Sequence, residues 1–146
     1  MRQFEKVSYM NAEDIVIPQR QTLDSAGYDL SAYERVVIEP KTIQLVPTGL
    51  KVQLEKDEVL LVYPRSSLGI KKGLMMSNSV GVIDRDYYNN DNNEGHIMVP
   101  LYNFKDEPVV VEKFERIAQG LFQTFLKTSN DQPISQTRQG GFGSSS

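Results

Sequence analysis

Apolar and polar positions alternate along much of this chain with a period of two, the spacing of strands that bury one face. Tyr28, Leu30 and Ala32 alternate with Asp29 and Ser31, and Leu50, Val52 and Leu54 alternate with Lys51 and Gln53. Residues 7–10, 35–38, 43–46, 97–104, 109–111 and 116–126 also read as strands. Residues 59–63 are apolar throughout, as expected of a strand covered on both faces. Val80, Val82 and Ile83 read as the end of a buried strand that meets a turn at Asp84. Turn residues separate these segments: Glu39-Pro40, Pro47-Thr48-Gly49 and Lys105-Asp106-Glu107-Pro108. Helical periodicity is scarce, and only residues 66–72, after Pro64, predict a short helix. The pattern predicts an all-β fold, an antiparallel barrel or sandwich.

No linker or repeat divides the 146 residues, which suffice for one domain with its own core. The expected division is a β core over residues 1–127 and a polar, flexible arm over 128–146. Residues 88–95 form a second polar stretch, rich in Asn. The absence of Cys excludes disulfides and thiolate metal sites, and the single His, His96, excludes a poly-His site. His96 is expected on an exposed loop end, Met75, Met76 and Met98 in the core, and Lys71-Lys72 in solvent. No apolar run approaches the ~20 residues of a membrane helix. The N-terminal Met1-Arg2-Gln3-Phe4-Glu5-Lys6 lacks the apolar core of a secretion signal, so the expected setting is the cytoplasm. A net charge of −3, from 16 basic and 19 acidic residues, argues against binding a nucleic-acid polymer. It leaves room for a small polyphosphate held by a few Arg residues, backbone amides and a metal ion.

Candidate chemistry gathers in four stretches. In Gly81-Val82-Ile83-Asp84-Arg85-Asp86-Tyr87, Asp84 falls at the rim of a sheet, where a carboxylate either caps a turn or orients a water as a general base. In Pro64-Arg65-Ser66-Ser67-Leu68-Gly69, the N–H groups of a first helical turn, Arg65 and two hydroxyls suit a phosphate, or else form a capped surface turn. Arg116-Ile117-Ala118-Gln119-Gly120 opens the last strand, and Arg116 there holds a turn or an ion pair. Finally, Gly140-Gly141-Phe142-Gly143-Ser144 follows Arg138; it is a Gly/Ser tail or a phosphate-cradling loop, and Phe142 favours the loop because an aromatic needs something to pack on.

With Ala26-Gly27-Tyr28-Asp29-Leu30 and Asn78-Ser79-Val80 added, these stretches fall in order along the chain. Together they resemble the five motifs of the trimeric dUTP diphosphatases (dUTPases), over nearly the whole chain from Ala26 onward. The resemblance implies a jelly-roll-like antiparallel β-barrel and a homotrimer. Its active sites would each draw on three chains, and the C-terminal arm of one would close over a pocket between the others. It implies hydrolysis of dUTP to dUMP and pyrophosphate with Mg2+, limiting uracil in DNA and supplying dUMP.

The resemblance also assigns roles. Asp84 matches the general base that directs water at the α-phosphorus. Tyr87 matches the aromatic lying against the deoxyribose, where a 2′-hydroxyl has no room. Asn78, with the main chain of Gly81, Ile83 and Met98, matches the uracil-reading hairpin. Arg65, Ser66, Ser67 and Gln119 match phosphate contacts. In the arm, Arg138, Gly143 and Ser144 match phosphate contacts and Phe142 matches the ring that stacks on uracil. Mg2+ would be held by the phosphates and water, without a direct protein ligand, and Asp29 would reach it through water at most. Two departures stand out. The arm motif is one residue shorter between Arg138 and Phe142 than the family's common form. The turn after Tyr87 is longer than the family's tight turn, so residues 88–95 offer a contact for a neighbouring chain or a protein regulator. The rival readings are a dCTP deaminase, which resembles the family in fold, and a nucleotide-dependent binding protein.

Overall fold

The alternation is realised as antiparallel strands in a computed structural model that describes residues 1–136. In chain order they are β1 (Gln3–Lys6), β2 (Tyr28–Ser31), β3 (Val36–Ile38), β4 (Ile43–Gln53), β5 (Glu58–Pro64), β6 (Leu74–Met76), β7 (Gly81–Ile83), β8 (Ile97–Asn103), β9 (Val109–Val111) and β10 (Arg116–Thr124). They form one sheet in the order β1-β4-β8-β6, a second in the order β2-β10-β5-β7, and a small pair, β3-β9. The fold is all-β and jelly-roll-like, built as facing sheets rather than one continuous ladder. The inward side chains make one core. Val46, Leu50, Val52, Val99 and Leu101 come from the first sheet, Leu30, Leu60, Val62 and Ile117 from the second, and Ile38 and Val111 from the pair. Each such side chain contributes about 1.5–3 kcal/mol by leaving water.

Several expectations are corrected. The expected strand at residues 7–10 lies instead at β1, whose Phe4 pairs with Val52. Val7 is buried and donates its N–H to the Gly49 carbonyl (2.9 Å), after which the chain turns away. Pro47-Thr48-Gly49 is not a turn between strands but a bulge inside β4, where the register slips between Pro47 and Leu50. The bulge is stabilised by the buried Thr48 hydroxyl donating to the Ile97 carbonyl (2.5 Å), with Gly49 at φ +76. Val82 is not buried: β7 is an edge strand, and Val82 is 60% exposed. Leu61 and Tyr63, expected to be covered on both faces, are only half-buried. Met76 is in the core, but Met75 points out from the first sheet. His96, expected on an exposed loop end, is 2% exposed. The short helix is present as a single wide turn at Leu68–Lys72, closed by Gly73 at φ +74. Lys72, rather than being solvated like Lys71, donates to the Val110 carbonyl (2.7 Å) and pairs with Glu115 (3.2 Å).

Candidate active site

Two cavities hold most of the candidate residues among those described, and they share no lining residue. The first, of about 180 Å³, is lined by Asn78, Gly81, Val82, Ile83, Asp84, Tyr87 and Met98, with Val62, Met76, Ile97 and Pro100 behind them. Strand pairing builds it. Gly81, Val82 and Ile83 pair with Val62, Leu61 and Leu60 of β5, so the next residue, Asp84, emerges at the cavity mouth. A Cβ on Gly81 would lie 3.3 Å from Val62 Cβ, which is why the strand can sit this close. Asp84 has extended backbone (φ −81, ψ 158) and begins the 3-10 turn Arg85–Tyr87. Its carbonyl accepts the Tyr87 N–H (3.1 Å), but its carboxylate does not cap that turn. The exposed carboxylate also borders a second, open cleft of about 850 Å³, whose far wall includes Phe125, Lys127, Pro133 and Gln136.

Tyr87 is buried to 5% exposure, with its hydroxyl donating to the His96 carbonyl at 2.6 Å. His96 Nε2 accepts the Gly49 N–H (2.8 Å), which makes Nδ1 the protonated nitrogen, paired with the Tyr9 hydroxyl (2.7 Å). Burial pushes the His96 imidazole down to about 4, against a smaller upward pull from Glu94. Hydrogen bonds from Lys51 and Ser8 hold the Glu94 carboxylate at about 2, against the opposing cost of its burial.

The other cavity, of about 280 Å³, is lined by Gln21, Ser25, Ala26, Gly27, Asp29, Arg65, Ser66, Gln119 and Leu121. Here β2, β10 and β5 bring distant residues into register, with Gln119 opposite both Asp29 and Tyr63. Asp29 lies between two guanidinium groups, Arg65 Nε at 3.6 Å and Arg116 Nη1 at 3.4 Å. Arg65 also donates to the Arg116 carbonyl (3.4 Å), and Gln119 Nε2 to the Pro64 carbonyl (3.5 Å). Two cations against one anion leave a local positive charge, suited to a phosphate. A Cβ on Gly27 would come within 2.3 Å of Gln119 Oε1, so the glycine leaves room for that side chain. Ser67 is half-buried at the start of the helical turn and is not part of the cavity wall. Arg138, Phe142, Gly143 and Ser144 lie outside the described residues.

Known proteins resemble this chain in sequence and in fold. The dUTPase family profile matches residues 13–146. The deoxyuridine 5′-triphosphate nucleotidohydrolase of Lactococcus lactis is 51% identical over 145 residues, covering 99% of this chain and 97% of that protein. The chain belongs to the dUTPase family. It is an enzyme of that family on the same grounds, and its fold agrees. The crystal structure of the dUTPase from Streptococcus mutans superposes with a TM-score of 0.84 at 48% identity, over 88% of this chain and 99% of that one. A dUTPase of phage phi11 of S. aureus, described with a structural Mg(II) ion, shares the fold at TM-score 0.73 and 20% identity, over 93% of this chain and 98% of that one.

Sequence reasoning placed Asp84 at the end of a strand, where it lies. It left Arg116 open, and Arg116 shares Asp29 with Arg65. It missed the setting of Tyr87 among Asn93, His96 and Tyr9. The run of Asn residues that closes on Gly95 is a usable signal, because Asn side chains bond nearby backbone groups and favour local turns over surface display.

Proposed function

We propose that this dUTPase-family chain hydrolyses dUTP to dUMP and pyrophosphate, with Asp84 as general base. The carrying observation is the Asp84 carboxylate at the mouth of a cavity walled by Tyr87 and the β7 hairpin. Asp84 takes a proton from a water whose oxygen bonds to the α-phosphorus. The bond from that phosphorus to the α–β bridging oxygen breaks, and pyrophosphate leaves. Uracil enters the 180 Å³ cavity against Asn78 and the main chain of Gly81, Ile83 and Met98. Thymine is refused by its methyl, and cytosine by mispaired donors at about 1–3 kcal/mol each. Tyr87 packs against the deoxyribose. Arg65, Ser66, Ser67 and Gln119 bind phosphates, Ser66 near the α–β bridge where charge develops. Arg138, Gly143 and Ser144, outside the described residues, add phosphate contacts, and Phe142 stacks on uracil.

The donor set suits a metal that arrives with the nucleotide. Among the described residues Asp29 is the one carboxylate lining the phosphate cavity, and both its oxygens face arginines. It would hold Mg2+ only through water. When bound, Mg2+ would neutralise the leaving pyrophosphate.

A homotrimer is supported by the outer face of the first sheet. Ile43, Leu45 and Met75 are 58%, 44% and 49% exposed and adjoin Tyr102 and Pro100 in register, next to the cavity residue Met98. An apolar sheet face of this kind seeks a partner, and a second chain there would bring its own cavity against this one. Among the described residues no helix is long and apolar enough to cross a membrane. A cytoplasmic enzyme of this kind limits uracil in DNA and supplies dUMP.

Product analysis tests the reading. The protein is incubated in Mg2+ with dUTP, UTP, dTTP or dCTP beside Asp84→Asn. Conversion of dUTP alone, abolished by the substitution, is the expected result. Ammonia from dCTP, or dUTP bound without turnover, would replace this reading with a deaminase or a nucleotide-dependent binding protein.

A further inference from the structure

Residues 88–95 are long for a turn, yet two of their side chains, Asn90 and Asn93, bond inward to Tyr87. Asn93 Nδ2 donates to the Tyr87 hydroxyl at 2.8 Å. The same amide's Oδ1 accepts from the Gly95 N–H (3.1 Å) and from Asn90 Nδ2 (2.8 Å), which fixes the end that faces the phenol. Asn90 Nδ2 also donates to the Tyr87 carbonyl (2.7 Å), and Asn90 Oδ1 accepts the N–H groups of Asn92 (3.0 Å) and Asn93 (3.2 Å). Gly95 sits at φ +88, and a Cβ there would lie 2.7 Å from the Tyr87 carbonyl oxygen, so the loop closes directly on that backbone. Outside this layer, Lys51 binds Asn89 and Glu94 (2.7 Å each), and Glu94 accepts from Ser8 (2.6 and 2.8 Å). The loop is thereby tied to the first sheet and to the N-terminal segment.

We infer that Asn93 is a positioning residue that sets the Tyr87 ring and, through it, the choice of deoxyribose over ribose. This rests on the reading of Tyr87 as the wall against the sugar. A steric wall discriminates only if it cannot recede. The ring is anchored at its outer end, the hydroxyl, which donates to the His96 carbonyl and accepts from Asn93. Without Asn93 the ring retains one of these two bonds and yields to a 2′-hydroxyl. A deoxyribose does not press on it, so dUTP loses little. The extra length of the turn thus acts on specificity from behind the pocket.

The test compares kcat and KM for dUTP and UTP in the full-length protein with Mg2+. The variants are Asn93→Ala, Tyr87→Phe, the double substitution and Tyr87→Ala. Asn93→Ala is expected to lower the dUTP-to-UTP ratio of kcat/KM about tenfold, the factor one hydrogen bond of ordinary net strength sets. The change comes mainly from a lower KM for UTP. Tyr87→Phe does the same, and the double substitution goes no further than Tyr87→Phe, because both act through the phenol oxygen. Wild-type ratios in Asn93→Ala and Tyr87→Phe, with a collapsed ratio in Tyr87→Ala, would overturn the role of Asn93 and leave the sugar wall standing. An unchanged ratio in Tyr87→Ala as well would remove the wall itself. A parallel fall for both nucleotides at constant ratio marks a merely structural role and also overturns the inference. Should Asn93→Ala not fold, Tyr87→Phe tests the anchor itself: it removes this bond together with the one to the His96 carbonyl, so a lowered ratio there supports the inference and a wild-type ratio overturns it.

Discussion

The two cavities are held in shape by different forces. Around Tyr87 the contacts are neutral hydrogen bonds between buried and half-buried groups, closed by the bulge at Gly49 and the turn at Gly95. Around Arg65 they are charged, longer and partly exposed: two guanidinium groups and one carboxylate at 3.4–3.6 Å. The first arrangement is complete before a ligand arrives, as a pocket that reads base and sugar by shape requires. The second is provisional. Asp29 occupies the arginines as a phosphate would, keeping them aimed without satisfying them, and a triphosphate can take over that pairing.

The largest effect is expected at Asp84, at the mouth of the first cavity. Asp84→Asn is expected to lower kcat on the order of 10³-fold with dUTP affinity retained, measured by single-turnover hydrolysis and nucleotide titration. Loss of affinity in parallel would make Asp84 part of the pocket wall instead of the base. Next comes Arg65→Ala, expected to cost about 10–100-fold in kcat/KM for dUTP, the worth of a charge-assisted bond. Inhibition by deoxyuridine, which carries no phosphate, should be unchanged, and added salt should weaken dUTP more than deoxyuridine. If deoxyuridine weakens equally, the two cavities are not independent.

A pH experiment addresses the neutral side. The unfolded chain takes up a proton at His96 below about 6.5, whereas the folded chain refuses it until about 4. The folded value is depressed, so stability falls as pH drops through that window. The whole difference is about 3 kcal/mol. Protonating Nε2 would also break its bond from the Gly49 N–H. Glu94 adds a second loss between 4.5 and about 2 as its bonds from Lys51 and Ser8 are titrated away. Thermal melts should show the upper window in the wild type and not in His96→Gln, with the lower window kept in both. A wild type whose melting point is flat from 6.5 to 4 would place His96 in solvent.

What was legible in the chain follows the same division. Alternation located β2 and the second half of β4, because one buried face imposes a period of two. It misread Val82 and Met75, since whether the other face is covered depends on strands distant in sequence. Pro47-Thr48-Gly49 has turn chemistry and is used for a bulge, a choice made by the buried Thr48 bond to Ile97. At the site, Asp84 was legible as the polar residue ending an apolar run. The Asp29–Arg65–Arg116 cluster was not, because three separate strands and turns bring it together. His96 looked like a loop residue for want of any local sign that Gly49 and Tyr9 would satisfy both its nitrogens.

In the proposed homotrimer, Asp84 drives hydrolysis in a site whose base-reading and phosphate-binding halves come from different chains. Co-expression of differently tagged Asp84→Asn and Arg65→Ala subunits, with isolation of the doubly tagged oligomers, tests it most directly. In a cyclic trimer of either mixture, roughly one site in three then joins an intact Asp84 to an intact Arg65. Activity near one third of the wild-type level per trimer, from two nearly inactive parents, is the expected result. Mixed trimers no more active than the parents would mean that both halves belong to one chain, and would contradict the claim.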